Sequence, residues 1–106
     1  MTATDIAQVV HLGPRCILVL SGEIDVAAAP GLTSFARDAL VDTAVTDVVI
    51  DTSAVTFIDS TGVSALLAIR DTAMAQGAAV RICGVSDNVA KVLTIMGLNS
   101  MFDLSA

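Results

Sequence analysis

The feature of the sequence that most constrains the fold is a short apolar run near the middle of the chain. Asp47 and Asp51 flank three consecutive β-branched residues, Val48-Val49-Ile50. A strand with one solvated face alternates apolar and polar residues, so this unalternating run predicts a central strand that is covered on both faces. Such strands are typical of parallel sheets, which need helical crossover connections. The run therefore favours an α/β fold.

Turn signals and helical periodicity divide the chain into a regular series of elements. We predict strands over Ile6–Leu12, Arg15–Ser21, Asp47–Asp51, Ala79–Cys83 and Ser100–Leu104. We predict a first helix from about Ala27 to Leu40 and a second that begins at or next to Ser60 and runs to about Ala75. A third helix is expected to be capped by Ser86 and to end at Gly97. Gly13-Pro14 marks a hairpin, and the chain is expected to leave the sheet at Gly22-Glu23-Ile24-Asp25. The order β-β-α-β-α-β-α-β predicts a single α/β domain over residues 1–106, with a mixed sheet and right-handed crossovers.

The charge balance argues against two classes of partner. The chain has 5 Lys and Arg against 11 Asp and Glu, a formal net charge of −6. Nucleic acids and anionic membrane surfaces both attract clustered basic residues, so we expect neither as a partner. The longest apolar runs, Cys16–Leu20 and Ala65–Ile69, are far shorter than the ~18 residues of a membrane-spanning helix. Because the N-terminus has no basic segment, we expect no signal peptide and a cytoplasmic protein.

Few residues could support catalysis or bind a metal. Cys16 and Cys83 each lie inside an apolar run, which favours buried free thiols. His11 is expected near the end of the first strand, and the sequence gives it no second metal ligand and no carboxylate partner. We therefore expect no catalytic residue, no metal site and no cofactor, and we expect that the protein is not an enzyme.

The most informative segment is Thr56–Val63, in which Phe57-Ile58 precedes Asp59-Ser60-Thr61-Gly62. We expect the apolar head to be buried at a strand end and Ser60 to lie at or next to the N-terminus of the second helix. All three polar residues are good helix caps, so capping is one interpretation. One cap needs only one side chain, however, and a glycine in the first helical turn costs about 1 kcal/mol relative to alanine. Gly62 therefore also favours a second interpretation, in which something approaches the backbone closely.

In this second interpretation Ser60 is a phosphorylation switch. The N–H groups and the dipole of a helix N-terminus favour an anion. A phosphate adds about −1.5 to −2 charges at pH 7, here beside Asp59 on an already acidic protein. We expect this charge to disturb a contact with a partner more readily than it unfolds the domain.

The segment Phe57-Ile58-Asp59-Ser60-Thr61-Gly62 resembles the signature of STAS domains, specifically those of the bacterial anti-sigma factor antagonists. Three further segments resemble the family in the same order along the chain. They are the turn at residues 22–25 after the second strand, the central strand at 48–51 and the junction at 83–89 before the third helix. The resemblance covers nearly the whole chain and implies a single STAS domain.

The resemblance implies a protein-binding switch. It implies that Ser60 is phosphorylated by an anti-sigma factor that is also a serine kinase, and that a serine phosphatase reverses this. Only the unphosphorylated form would bind the kinase and release the sigma factor. Asp25 and Asp59 match acidic positions of the family's kinase contact, and they converge if their strands are neighbours. The expected partner surface also includes four residues of the second helix: Thr61, Gly62, Val63 and Leu67. We expect hydrophobic contacts from its exposed part, around Val63 and Leu67.

The sequence departs from the family pattern at two places. Ser64 stands where the family often has a second glycine, and the sequence ends at Ala106 where family members commonly add a helix. We therefore expect a sheet edge or face to be less covered. Because the chain has only three phenylalanines as aromatic residues, an aromatic contact at the partner surface is not expected.

Two other functions stay open at this point. The main alternative is an accessory STAS domain that regulates or scaffolds a membrane transporter, in which Ser60 is only a helix cap. A stand-alone enzyme is a weaker alternative, because the sequence offers no catalytic cluster.

Overall fold

The computed structural model describes residues 6–41, 44–98 and 103–104. In chain order the elements are strand β1 (Ala7–Leu12), strand β2 (Arg15–Ile24), helix α1 (Ala29–Ala39), strand β3 (Asp47–Ile58), helix α2 (Ser60–Ala75), strand β4 (Ala79–Cys83), helix α3 (Asp87–Ile95) and strand β5 (Asp103–Leu104). The predicted order β-β-α-β-α-β-α-β is confirmed. Of the last predicted strand, residues 100–102 lie outside the described residues, and the final two form β5.

The five strands form one mixed sheet in the order β1-β2-β3-β4-β5. β1 is antiparallel to β2, and all other neighbours are parallel. The β1–β2 hairpin closes over two residues, since Leu12 pairs with Arg15. Gly13 has a φ of +60° in this turn, a conformation that tight hairpin turns need and that glycine adopts without strain.

The three helices pack on one face of the sheet. The parallel strands advance in one direction from β2 to β5, and right-handed crossovers then place each connecting helix on the same side. Strand residues that lie side by side in register form one core with residues from all three helices. This core includes Val9, Leu18, Ile50 and Ile82 from the strands and Leu32, Leu66 and Leu93 from the helices.

The opposite face of the sheet, which we call the outer face, carries Val10, Ile17, Val19 and Val49. These residues alternate with the core positions of their strands, and they do not belong to the core. Val49 is nevertheless only 7% exposed, because Ile17 and Arg81 flank it in register on the neighbouring strands. The prediction that β3 is covered on both faces is therefore wrong, because the described helices cover only one face of the sheet.

β2 and β3 are both longer than the sequence predicts. β2 ends at Ile24 instead of Ser21, and β3 ends at Ile58 instead of Asp51. The expectation that the chain leaves the sheet at Gly22 is also wrong. Gly22 has a φ of +76°, so it bends the strand locally while pairing with β3 continues on both sides of it.

Two β-bulges shape the second half of β3. The register between β2 and β3 shifts twice, and each time β3 contributes one residue more than β2. An extra residue on one strand shifts which side chains point inward. The buried positions of β3 therefore change from every second residue to every third, at Ile50, Thr52, Val55 and Ile58.

Candidate functional site

β2 and β3 end side by side. Ile24 pairs with Ile58 as the last residue of each strand, and the backbone N–H of Asp59 donates to the Ile24 carbonyl at 3.5 Å. Asp25 and Asp59 are therefore the next residues of two neighbouring parallel strands, and they lie at the same edge of the sheet. The condition on which their predicted convergence depends, that the two strands are neighbours, is therefore met.

Asp59 is the N-cap of α2. Its backbone is extended, with φ −114° and ψ −173°, and its Oδ1 accepts a hydrogen bond from the Gly62 N–H at 2.9 Å. Such a cap stabilises a helix by about 1 kcal/mol. The capping interpretation is therefore correct for Asp59. The cap is not Ser60, so the part of the transporter alternative that treats Ser60 as the cap is wrong.

Ser60 is the first residue of α2, and it is exposed. Its carbonyl accepts a hydrogen bond from Ser64 Oγ at 3.0 Å, one helical turn further along. Ser64 is also exposed, so the position where the family often has a glycine accommodates a side chain here. The Ser60 hydroxyl is thus accessible at a helix end whose free N–H groups and dipole favour negative charge.

Asp25 shapes the loop that leads into α1. Its Oδ1 accepts hydrogen bonds from the N–H groups of Ala27 and Ala28, both at 3.1 Å. Its carbonyl accepts from the Ala29 N–H at 2.9 Å. This side-chain turn fixes the carboxylate against the start of α1. Both acidic residues of the site are therefore held by backbone donors beside Ser60.

Gly62 is buried against the end of β2. A Cβ atom at this position would overlap the Ile24 carbonyl oxygen and lie 2.7 Å from Ile58 Cγ1. The close approach that the sequence suggests does occur, but the approaching group is the chain's own backbone. Gly62 is a packing residue, and its burial argues against the expected direct contact with a partner.

The expected exposure of two residues of α2 is wrong. Val63 is 0% exposed, and Leu67 is half-buried and packs against the core. Both lie on the side of α2 that faces the sheet, where removing apolar area from water stabilises the fold. Thr61 is half-buried. Because α2 consists mostly of small and apolar residues, its sequence does not distinguish the inner side of the helix from the outer side.

Two apolar residues that the sequence analysis missed are exposed at this edge. Val26 is 68% exposed next to Asp25, and Phe57 is 44% exposed two residues before Asp59. The expected burial of Phe57-Ile58 holds only for Ile58, because neighbouring residues of a strand point to opposite faces and Ile58 faces the core. An exposed aromatic side chain therefore lies three residues before Ser60 in the chain, contrary to expectation.

The cysteines lie elsewhere in the sheet. Cys16 is buried and Cys83 is half-buried, both as free thiols. Burial raises the pKa of both thiols, and at Cys83 the Asp51 carboxylate adds to the rise while Arg81 opposes it. A protonated thiol is a weak nucleophile and a weak metal ligand. Over residues 6–41, 44–98 and 103–104, no group of His, Cys, Asp and Glu is arranged to hold a metal ion.

No helix in the part of the chain that the structure describes has both the length and the apolar character needed to span a bilayer.

The fold resembles those of several solved structures. An anti-sigma factor antagonist from Mycobacterium paratuberculosis is 25% identical, with a TM-score of 0.82, over 93% of this chain and 83% of the other. The phosphorylated form of the Bacillus cell fate determinant SpoIIAA is 23% identical, with a TM-score of 0.73, over 94% and 90%. A sulfate transporter family protein from Wolinella succinogenes is 19% identical, with a TM-score of 0.76, over 91% and 80%.

Comparison at the sequence level gives a more specific result. A search of curated proteins with this sequence finds no match. The family model of the STAS domain matches residues 5–106, which include every described strand and helix and the turn at Asp59-Ser60-Thr61-Gly62. The chain therefore belongs to the STAS domain family.

Proposed function

We propose that this chain is an anti-sigma factor antagonist, a binding module and not a catalyst. In its unphosphorylated form it binds an anti-sigma factor that is also a serine kinase, and a sigma factor is released. Phosphorylation of Ser60 ends this binding, and a serine phosphatase restores it. The proposal places the protein in the cytoplasm, without a nucleic-acid or direct membrane partner, in keeping with its net charge of −6.

The position of Ser60 is the observation that supports this function most strongly. Its side chain is exposed at the first residue of α2, and Asp59 already provides the helix cap. Phosphoryl transfer requires little from the acceptor protein beyond an accessible, positioned hydroxyl group, because the kinase supplies the nucleotide and the metal ions. The likeness in fold to anti-sigma factor antagonists, one of them phosphorylated, supports the same function.

We define the docking surface as Asp25, Val26, Phe57, Asp59 and Ser60. It combines two acidic residues with two exposed apolar ones at a single sheet edge. Apolar and aromatic anchors supply most of the binding energy of an interface, whereas charges mainly set orientation and association rate. The surface therefore fits a partner that offers an apolar pocket bordered by Lys or Arg. Phe57 takes the role that the sequence analysis assigned to Val63.

Desolvation explains how phosphorylation would end this binding. A phosphate on Ser60 would attract a basic partner from a distance, so charge alone does not predict release. Inside the interface, however, the phosphate must lose its hydration, which is costly unless each oxygen finds a donor. The neighbouring carboxylates of Asp25 and Asp59 add repulsion at short range. The modified surface therefore binds more weakly than the unmodified one.

The first test is phosphorylation by the cognate anti-sigma serine kinase with labelled ATP. We expect wild-type protein to gain one phosphate and Ser60→Ala protein to gain none. Ser64→Ala is the matched control, because Ser64 is an exposed serine on the next turn of the same helix. Intact-mass spectrometry measures the phosphate and peptide mapping locates it. Full labelling of the Ser60→Ala protein would contradict the proposal.

The alternative function is an accessory STAS domain that regulates or scaffolds a membrane transporter. The similarity in fold to the sulfate transporter family protein from Wolinella succinogenes is the observation that favours this alternative. Copurification from the native cell separates the two functions. Recovery of transporter subunits in place of a kinase and a sigma factor would favour the alternative.

A further inference from the structure

β1 forms one edge of the sheet, and this edge lacks the features that prevent pairing with a further strand. β1 pairs with β2 over six consecutive residues without a bulge, and it contains no Lys, Arg, Asp, Glu or Pro. Soluble proteins protect an edge strand with such residues, with a bulge or by keeping the strand short. The opposite edge is protected, since β5 is two residues long and one of them is Asp103. β1 is therefore the edge that is open to strand addition.

The register of the hairpin shows which backbone groups lie on this edge. The Ser21 N–H donates to the Ile6 carbonyl at 2.8 Å, and the two residues lie opposite each other in the continued β1–β2 register. Hydrogen-bonded and non-hydrogen-bonded pairs alternate along an antiparallel ladder, so the even-numbered residues of β1 bond to β2. The N–H and C=O groups of Val9 and His11 therefore point away from β2, where the described sheet has no strand.

The side chains at the end of β1 are accessible as well. His11 is exposed and Leu12 is 58% exposed. Leu12 lies on the outer face together with the half-buried Val10, because the two are separated by one residue of the strand. The described helices pack on the other face. A strand placed alongside β1 would therefore cover Leu12 and remove apolar area from water.

We propose that two copies of this chain pair through β1, in antiparallel orientation about a two-fold axis at Val10. In this register Val9 of each copy lies opposite His11 of the other, and the two residues exchange both of their backbone hydrogen bonds. On the outer face Val10 meets Val10 of the other copy, and Leu12 lies opposite Gln8. The two sheets then form one continuous sheet, with the described helices of both copies on the same face.

The absence of charge on β1 favours a second copy as the occupant of this edge. The edge offers no charged side chain to a charged segment, so it fits a strand that is itself uncharged and unprotected. β1 of a second copy is such a strand. Copies of a chain with a net charge of −6 repel one another over much of their surface, and this repulsion is weakest where no acidic residue lies.

The antiparallel arrangement also keeps the two docking surfaces apart. Asp25 follows Ile17, the residue of β2 opposite Val10, by eight residues. The two copies of β2 run in opposite directions, so the two Asp25 residues lie roughly 50 Å apart along the strands. The Debye length at physiological ionic strength is about 8 Å. The acidic ends of the two copies therefore do not oppose the pairing, and both Ser60 side chains stay accessible.

Sedimentation equilibrium of the full chain tests the pairing. Only short strands meet, so we expect a weak dimer. At about 1 mM protein the weight-average mass should exceed the monomer mass of 10.8 kDa at least about 1.3-fold, and it should return to that mass on dilution to about 0.02 mM. A monomer mass at about 1 mM would overturn the proposal.

Two substitutions at one position test the role of the backbone. His11→Pro removes an N–H that faces the free edge and leaves the hydrogen bonds to β2 in place. It should weaken dimerisation at least about fivefold. His11→Gln is the matched control, because it changes the side chain and keeps the N–H, and it should dimerise like the wild type. Equal dimerisation of the two variants would overturn the proposal.

A mixing experiment tests the register. Val10→Lys and Val10→Glu each place two like charges opposite each other on the axis, so each variant alone should dimerise at least about fivefold less than the wild type. An equimolar mixture places opposite charges there and should recover dimerisation. Val41→Glu adds the same charge at a site that is 77% exposed beyond α1, and it should leave dimerisation unchanged. A mixture that behaves like its separate components would overturn the register, and circular dichroism confirms that each variant is folded.

This inference does not depend on the proposed function. None of the varied residues belongs to the docking surface around Ser60, so the kinase assay and the sedimentation experiment can fail separately. We expect His11→Pro protein to be phosphorylated at the wild-type rate.

Discussion

At Gly62 the first turn of α2 lies directly against the Ile24 carbonyl, at the end of β2. So close an approach is possible only because Gly62 has no side chain. Asp59 and Asp25 reinforce the arrangement through hydrogen bonds to the first backbone N–H groups of α2 and of the loop before α1. At the scale of the residue, the site thus depends on the missing side chain of Gly62, the helix cap at Asp59 and the side-chain turn at Asp25.

Gly62→Ala tests this contact. A methyl group would collide with a backbone oxygen, which cannot move aside as a flexible side chain could, so we expect a loss of about 3 kcal/mol in the free energy of unfolding. Urea denaturation followed by circular dichroism measures it. Gly31→Ala is the control, since a Cβ there meets nothing within 4 Å and Gly31 lies inside α1. We expect that change to be neutral or to stabilise by up to about 1 kcal/mol. Equal effects of the two substitutions would contradict the interpretation.

The bulges of β3 are the decisive feature at the scale of the element. By inserting two residues relative to β2, they bring Val55 into the core while Ile58 also stays there. A regular strand of the same sequence would alternate, and it could not direct both Val55 and Ile58 inward. Phe57 points away from the core as it would in a regular strand, since it directly precedes the core residue Ile58.

Phe57→Ala tests whether this exposed ring contacts the partner. We expect the affinity for the anti-sigma factor to fall at least about tenfold, equivalent to about 1.4 kcal/mol, because aromatic residues at an interface centre supply much of the binding energy. Met74→Ala is the control: Met74 is 50% exposed at the far end of α2. Isothermal titration calorimetry measures both. Unchanged affinity of the Phe57→Ala protein would remove Phe57 from the docking surface.

At the scale of the whole molecule, the topology separates three surfaces. The described helices cover one face of the sheet, the opposite face has an apolar centre, and the carboxyl ends of β2 and β3 carry the docking surface. The docking surface includes Asp25 and Asp59 in a chain whose formal net charge is −6. Its acidic residues would therefore help to attract a basic partner.

Ser60→Asp tests whether phosphorylation acts on binding and not on folding. A negative charge at a helix N-terminus stabilises by about 0.3–1 kcal/mol, so the thermal midpoint should not fall. Binding to the anti-sigma factor should weaken at least about tenfold through desolvation of the new charge. Ser64→Asp is the control, one turn away and outside the docking surface. Affinity equal to that of the wild type would contradict the mechanism.

The order of elements could be predicted from the sequence because it depends on local patterns. The β-branched run at Val48–Ile50 predicts the central strand, and the helical spacing of apolar residues predicts three helices. The turn Asp59-Ser60-Thr61-Gly62 indicates Ser60 as the candidate phosphorylation site. The ends of β2 at Ile24 and of β3 at Ile58 could not be predicted from the sequence, because bulges depend on the register between two strands and leave no local signal.

What the sequence alone determined is therefore the α/β class and the succession of strands and helices, and it also provided the prediction of a site at Ser60 with Asp25 and Asp59. Only the tertiary structure decided which residues face water there: Val63 is buried, Phe57 is exposed and Gly62 packs against the Ile24 carbonyl. It also decided that one face of the sheet has no described helix over it. The physical reason is that local propensity acts through neighbours in sequence, whereas exposure depends on contacts between segments that are distant in the chain.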